Sequence, residues 1–300
     1  MINGTAYPLP STTRAAPKSR GLYALAFQRL ARNRLAMAGL VIIILLALAA
    51  IAAPLLSPYD PIKQNYDALA EAPNGKHWLG TDALGRDTFS RLVFGTRTSL
   101  IVGVFTQAIV LSIGVPIGLM AGYAGGRVDN LLMRGVDIVY AFPDLLFIIL
   151  LRSVLGGGIL MIFLAIGLVA WTSIARLVRG QVLAIKSEEY VTAARAVGAS
   201  NAWIILRHVL PNAVGPLLVA VTFAIPRAIF VEAALSYIGI GVPPPTPSWG
   251  TMIQDGYTLI FVAKHLVLFP AIAIATVMLS FTFLGDGLRD ALDPRISRRV

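Results

Sequence analysis

The feature that most constrains this chain is a set of long apolar runs that contain no charged side chain. Four such runs, residues 35–56, 98–124, 153–175 and 265–285, have no Asp, Glu, Lys or Arg. A helix rises about 1.5 Å per residue, so about 20 apolar residues are needed to cross a hydrocarbon core about 30 Å thick. Each of the four runs therefore predicts a membrane-spanning helix.

Two further runs, residues 136–151 and 213–240, are mostly apolar but carry isolated charges. Hydrophobic residues make up 57% of the chain and charged residues 13%, against roughly 25% charged in soluble proteins. The runs are continuous rather than alternating and are rich in Ala, Leu and Gly, which disfavours the strands of a membrane barrel. The sequence predicts an all-α, polytopic membrane protein with six transmembrane helices.

The formal net charge of +10 could reflect nucleic-acid binding, or it could reflect basic residues that are concentrated on one side of a membrane. Basic residues of membrane proteins collect on the cytoplasmic side. With six spans and the N-terminus inside, residues 1–34, 123–134, 176–212 and 285–300 face the cytoplasm and hold 17 of the 25 Lys and Arg. We therefore predict a multi-pass protein with both termini cytoplasmic, in contact with lipid and not with nucleic acid.

The chain divides into three parts on this topology. Residues 1–34 form a cytoplasmic tail and a basic amphipathic helix, from residue 22, on the inner membrane surface. Residues 35–286 form the six-helix transmembrane domain, which includes the external segment 57–97. Residues 287–300 form a cytoplasmic C-terminal tail. The absence of cysteine excludes disulfides and Cys-ligated metal sites.

The predicted external segments contain a short interfacial helix over residues 87–94 and, after a proline-rich stretch, Trp249 as an interface anchor. Four charged residues near that helix either contact an external partner or belong to an ordinary interfacial helix: Arg86, Asp87, Arg91 and Arg97.

The cytoplasmic loop 176–212 carries the most informative pattern. Ser187 is a predicted helix cap, and Glu188 and Glu189 then favour the positive end of the helix dipole. Alanines at 193, 194 and 196 favour the helix, and Gly198 is suited to the left-handed conformation that ends it. Ser200 can cap a second short helix to Leu210, after which Pro211 opens the fifth span.

This spacing resembles the coupling loop of ABC-importer permeases, which is Glu-Ala-Ala, three residues, Gly, nine residues, an apolar residue, any residue and Leu-Pro. The matching positions are Ala193, Ala194, Gly198, Leu210 and Pro211. The sequence departs from the motif at Thr192, in place of Glu, and at His208, in place of an apolar residue.

Three other stretches are similar to the peptide/nickel branch of these importers, in particular to its second permease, the C type of dipeptide and oligopeptide permeases. They are Trp78–Asp87 with Ser90 and Arg91, Pro244–Gly250, and Leu284–Pro294. Pro243 stands where the family has Gln. Together with a weaker match around Met133–Pro143, the resemblance runs from about residue 22 to residue 296.

The resemblance implies an ABC-importer permease (MetI-like) fold in the bacterial inner membrane and a transport subunit rather than an enzyme. It also implies a heterodimer with a second permease of the dipeptide or oligopeptide B type, two ATPases of the D and F types, and an extracytoplasmic binding protein. No Gly-x-x-x-x-Gly-Lys-Ser/Thr loop occurs, so ATP and Mg belong to the ATPases, and this chain needs no cofactor. The residues implied in ATPase coupling are Glu188, Glu189, Tyr190, Ala193, Ala194, Arg195, Gly198, Ala199, Ser200, Leu210 and Pro211.

Charged residues inside a membrane span are candidate functional sites. Arg227 and Glu232 lie in the fifth span and are candidates for the translocation path, the alternative being pairing with another helix or with the second permease. Asp137 is expected to pair with Arg134 on one helix face. The three histidines show no metal-ligand spacing, and no catalytic constellation is visible.

The sequence leaves three alternative functions to consider. A secondary transporter would use paired ionisable groups or broken helices near the midplane, for which only the Arg227 and Glu232 region offers candidates. A membrane-embedded enzyme would need catalytic residues, and a channel would leave the coupling-loop pattern unexplained. The sequence does not distinguish dipeptides, oligopeptides, glutathione-like peptides and nickel chelates as substrates.

Overall fold

A computed structural model of the chain describes residues 22–292. Within these residues there is no strand, only one isolated β-bridge between Thr81 and Asp87. The predicted all-α architecture is confirmed. The helices are α1 (Leu22–Arg32), α2 (Arg34–Ile51), α3 (Ala53–Leu56), α4 (Thr88–Ala124), α5 (Gly126–Tyr140), α6 (Asp144–Leu155), α7 (Ile159–Lys186), α8 (Glu189–Ala196), α9 (Asn201–Ile204), α10 (Leu210–Tyr237), α11 (Trp249–Tyr257) and α12 (His265–Leu292).

Five helical segments are long and apolar enough to cross a membrane, and a sixth span is obtained when the bent pair α5–α6 is taken as one. The five are α2, α4, α7, the continuous segment Asn201–Tyr237 that includes α10, and α12. Each falls on one of the predicted runs. The first 21 residues, which include the predicted tail, and residues 293–300 lie outside the described part.

The third span differs most from its prediction because it is bent by 87° between α5 and α6. Pro143 immediately precedes α6, and a proline disfavours helical backbone in the residue before it. Ion pairs hold both sides of the bend to other helices. Asp137 on α5 pairs with Arg176 on α7, at 2.8 Å, and Asp144 on α6 pairs with Arg227 on α10, at 2.6 Å. The predicted pairing of Asp137 with Arg134 is wrong, since Arg176 takes its place.

The predicted interfacial helix over residues 87–94 is not a separate element. Asp87 caps α4, accepting a hydrogen bond from the backbone N–H of Ser90 at 2.8 Å, and the helix continues for 37 residues to Ala124. No proline interrupts its first turns, and Gly95 allows Trp249 to pack closely against it. Trp249 is therefore fully buried rather than an interface anchor.

The α4–α7 pair forms the most extensive contact between membrane helices. Gly114, Gly118 and Gly122 lie on one face of α4 at a spacing of four residues. A Cβ added at any of them would come within 2.5–3.0 Å of α7 backbone or side-chain atoms. Such small-residue spacing lets two helix backbones approach closely in a membrane. The two helices therefore pack as one unit.

The predicted cytoplasmic segments gather at one end of the bundle, which we call the predicted inner end. There Asp129 pairs with Arg179 at 2.6 Å, and Leu30 packs with Ala291 in one apolar cluster. At the opposite, predicted outer end, Arg152 donates hydrogen bonds to the backbone oxygens of Ile240 and Gly241. The coupling-loop residues, which lie between α7 and α10, belong to the predicted inner end.

Candidate functional site: a two-helix knob and a membrane cavity

The coupling-loop pattern folds into two short helices joined by a tight turn. We refer to residues 188–209 as the knob. Gly198 follows α8 with φ +85°, and its N–H donates to the Arg195 oxygen at 2.9 Å. The N–H of Ala199 donates to the Ala194 oxygen at 3.0 Å. These two bonds form a Schellman motif, which satisfies carbonyls at the helix end. The prediction that Gly198 ends the helix is confirmed.

The two predicted caps have different outcomes. Ser187 does not cap α8, because α7 extends to Lys186 and Ser187 ends it, donating to the Ala184 oxygen at 2.8 Å. Glu188 precedes α8 without a side-chain cap. Ser200 does cap α9, accepting from the Trp203 N–H at 3.3 Å.

The second knob helix does not stop before the fifth span. A π-helical turn, Ile205–Val209, joins α9 to α10, and the Leu210 N–H donates to the Ile205 oxygen. Pro211 has no N–H, and in a regular helix its ring would crowd a carbonyl four residues earlier, which the wider turn relieves. The predicted boundary between the second short helix and the fifth span, at Leu210 and Pro211, is therefore not observed, because the helical segment is continuous there. A displacement of the knob therefore reaches α10 without an intervening loop.

One side of the knob is anchored and the other is open. Val191 and Ile204 are fully buried in the apolar cluster that also contains inner-end residues of α4 and α7. On the open side, Val197 is 85% exposed, Trp203 48% and Leu206 65%. Of the residues implied in coupling, Ala194, Ala199 and Leu210 are half-buried, and the rest are exposed: Glu188, Glu189, Tyr190, Ala193, Arg195, Gly198, Ser200 and Pro211.

The departure from the motif at His208 has a structural explanation. Its ring lies between Tyr190, with centroids 5.5 Å apart, and Trp203, 5.0 Å away. An imidazole thus fills the apolar position of the motif through a tilted contact with Tyr190 and an edge-on contact with Trp203. Partial burial, and to a smaller extent the nearby Glu188 carboxylate, raise the pKa of the Tyr190 phenol.

Tyr123, at the inner end of α4, connects the knob to the membrane helices. Its hydroxyl donates to Asn201 Oδ1 at 2.8 Å, and its backbone oxygen accepts from Lys186 Nζ at 2.5 Å. The Arg195 guanidinium lies 5.6 Å from the centre of its ring, within the range of a cation–π contact. One side chain therefore contacts both knob helices and α7.

The second candidate site is a cavity of about 610 Å³ among α4, α6, α7 and α10. This volume is within the range of sites that hold small molecules. Most of its wall is apolar. The polar or charged wall residues are Thr106, Gln107, Asp144, Thr172, Ser173 and Arg227.

The two charged candidates of the fifth span are placed differently. Arg227 is in the cavity wall, with 69% of its side chain exposed, and pairs with Asp144. Glu232 is fully buried and is not part of the wall. Its Oε1 accepts hydrogen bonds from Ser236 at 2.7 Å and Ser248 at 2.8 Å, so it links α10 to the start of α11.

The charged residues considered for an external partner are mostly buried. Asp82, Arg86, Arg91 and Asp255 form an outer charge network in which both arginines contact both carboxylates. Asp87 is also buried and accepts from His77 Nδ1 at 2.8 Å. Only Arg97 of that predicted group is exposed. Within residues 22–292, no three His, Asp or Glu side chains come together in a way that could hold a metal ion.

Sequence reasoning missed several of these residues. Thr106 and Gln107 are adjacent polar residues in the middle of the second predicted span, and this pair is visible in the sequence. Asp144 was known as a charge in the third span, but its partner is 83 residues away. Tyr123 carried no local signal, because its role depends on contacts between distant segments.

Comparison with known proteins decides the family. Residues 114–298 match the sequence model of the binding-protein-dependent transport system inner membrane component. The chain belongs to this permease family. Residues 21–73 also match the N-terminal TM domain of oligopeptide transport permease C. Members are the membrane-spanning transport components of ABC importers and not their catalytic subunits, and membership implies a partner permease, ATPase subunits and a binding protein.

Relatives of this permease match it over nearly their whole length. It is 45% identical to the oligopeptide transport system permease protein OppC of Bacillus subtilis (strain 168), covering 94% of this chain and 92% of the relative. Identity is 44% to the dipeptide transport system permease protein DppC of the same organism, covering 91% and 86%. It is 43% to the glutathione transport system permease protein GsiD of Escherichia coli O157:H7, covering 90% and 89%.

The fold of the permease is similar to that of a solved structure. An inward-facing MetNI methionine ABC transporter, in its CY5 native crystal form, superposes with a TM-score of 0.56 at 21% identity. The match covers 68% of this chain and 97% of that one. At this identity the likeness concerns the fold, and it confirms the predicted MetI-like permease fold.

Proposed function

We propose that this permease forms half of the translocation path of an importer for dipeptides or oligopeptides. The observation that carries the proposal is the set of relatives at 43–45% identity, whose names specify oligopeptide, dipeptide and glutathione transport. Glutathione is itself a tripeptide, so peptide chemistry is common to all three. The cavity of about 610 Å³ beside α10 is the part of the path that this chain contributes.

The knob is the element on which an ATPase acts. Its open side combines exposed apolar residues, Val197, Trp203 and Leu206, with the acidic pair Glu188 and Glu189. Its anchored side is continuous with α10 through the π-helical turn. ATP and Mg are bound by two partner ATPases of the dipeptide or oligopeptide D and F types. Closure of these subunits displaces the knobs and switches the path between outward-open and inward-open states.

The importer resides in a bacterial inner membrane, with both termini of this chain in the cytoplasm. This orientation follows from the 17 of 25 basic side chains in the predicted inner segments. The second permease of the pair is of the dipeptide or oligopeptide B type, and an extracytoplasmic binding protein delivers the peptide. Because the chain lacks cysteine, single cysteines at positions 190, 69 and 246, all of which are exposed, test the orientation. Position 190 should be protected from an impermeant thiol reagent in intact cells, and the other two should react.

The function is tested by reconstitution in liposomes. The chain, a second permease, both ATPases and the binding protein together should take up labelled dipeptides or tripeptides only when ATP is present. The purified chain alone should hydrolyse no ATP. Peptide uptake by the chain without ATPases, driven by a proton gradient, would instead establish a secondary transporter. An intact complex that hydrolyses ATP but imports no peptide would refute the proposed substrate class.

A further inference from the structure

The ion pair in the cavity wall is accessible rather than covered. Arg227 Nη2 donates to Asp144 Oδ2 at 2.6 Å, and their side chains are 69% and 47% exposed. Charged groups at membrane depth are costly and are kept where they meet a partner or a water-filled cavity. Here both conditions apply, because the pair has an internal partner and an open side. A charged ligand that enters the cavity can therefore replace Asp144 as the partner of Arg227, or Arg227 as the partner of Asp144, while the helices stay packed.

Two neighbouring residues in the same wall each carry a side-chain oxygen with no hydrogen-bond partner within the described chain. Thr106 is fully buried and Gln107 is 4% exposed, and both line the cavity. Thr106 Oγ1 and Gln107 Oε1 are unpaired, while Gln107 Nε2 donates to the Gly103 oxygen at 3.4 Å. An unpaired buried polar atom is destabilising, so such atoms in a native protein call for a specific explanation.

Thr106 and Gln107 line the same cavity as the ion pair. They do so from α4, Asp144 from α6 and Arg227 from α10. The cavity wall thus combines one cation, one carboxylate and two unpaired acceptor oxygens.

We propose that this cluster binds the main chain of a zwitterionic peptide. Arg227 binds the terminal carboxylate, for which its planar fork is well suited, and the released Asp144 accepts the terminal ammonium. Gln107 Oε1 and Thr106 Oγ1 are buried in the wall, so they accept hydrogen bonds from peptide N–H groups once their side chains rotate into the cavity. These are features that all peptides share, whereas the apolar remainder of the wall accepts varied side chains. This inference rests on the proposed function and names the part of the peptide that the path recognises.

The chain has no native cysteine, so a single reporter thiol can measure occupancy of the cavity. Ser173 is an exposed wall residue, and Ser173→Cys in the assembled transporter is labelled with a methanethiosulfonate reagent. Trialanine should slow this labelling, and trialanine amide, which lacks the carboxylate, should protect less. Adding Arg227→Gln should weaken protection by trialanine about tenfold to a hundredfold, the equivalent of one lost charged hydrogen bond. It should also make the acid and the amide equal.

A neutral pair separates recognition from a merely structural contact. The double variant Asp144→Asn with Arg227→Gln can keep a hydrogen bond between α6 and α10 but removes both charges. Assembly is checked by co-purification of the ATPases. The double variant should assemble and lose the preference for the acid over the amide. Protection equal to that of the parent, or no protection of the parent by trialanine, would overturn the inference. Peptide uptake by the parent tests the proposed function separately, because that measurement does not depend on labelling.

Discussion

The turn at Gly198 allows the knob to be weakened without disturbing the membrane helices. A Cβ at Gly198 would meet nothing within 4 Å, so a substitution there removes no packing. Its φ of +85° is nevertheless a conformation that costs an L-residue about 1–2 kcal/mol. That cost shifts the ratio of ordered to unravelled turn by about fivefold to thirtyfold. Valine should cost more than alanine, because a β-branched residue with positive φ is a genuine outlier.

We therefore expect Gly198→Ala to reduce, and Gly198→Val to reduce strongly, both ATPase co-purification and ATP-dependent uptake. Membrane insertion should stay near normal, because the knob lies outside the helices that cross the bilayer. Gly126→Ala is the matched control: its φ is +54° and a Cβ there also meets nothing within 4 Å, but it lies outside the knob. If Gly198→Val keeps normal association and uptake, or if Gly126→Ala is equally damaging, the knob is not the coupling element.

Three further predictions concern other contacts. Tyr123→Phe removes only the hydrogen bond to Asn201, worth about 0.5–1.5 kcal/mol, and should lower peptide imported per ATP hydrolysed while the ATPases remain bound; an unchanged ratio would contradict this. Gly118→Val should lower the thermal stability of the purified complex by the equivalent of about 1–3 kcal/mol through overpacking on α7, whereas Gly180→Val, with open space at its Cβ, should be much milder in the same melting assay. Asp255→Asn leaves the two buried arginines of the outer charge network with a single carboxylate and should speed proteolysis of segment 57–87; an unchanged cleavage rate would show that the network does not hold this segment.

The membrane helices could be predicted from the sequence because their signal is local. The absence of charge over about 20 residues is read directly from the chain, and each predicted run contains a helix. Helix ends were less predictable because they depend on partners elsewhere. α7 continues past Arg176 and Arg179 since these side chains pair with carboxylates of α5, which makes a charged helical segment stable beyond the apolar run.

The knob, like the membrane helices, could be predicted from local signals, whereas the cavity depends on contacts between distant segments. Gly198 and Ser200 act within four residues of themselves, and their roles in ending and capping helices were predicted correctly. Arg227, in contrast, could be recognised as a functional candidate but not assigned a partner. Its contact with Asp144 depends on the bend between α5 and α6, and no local pattern specifies the direction of that bend.

The bend between α5 and α6 also limits where lipid can contact this protein. A regular helix satisfies its own backbone hydrogen bonds, whereas irregular backbone at membrane depth is tolerated only when protein covers it or water reaches it. Tyr140 and Phe142 at the bend are both 53% exposed in the single chain. α6 has only 12 residues and rises about 18 Å, too short to cross the hydrocarbon core alone. We therefore expect this face to turn toward another subunit or an aqueous path, and the unbroken helices to form the lipid-facing perimeter.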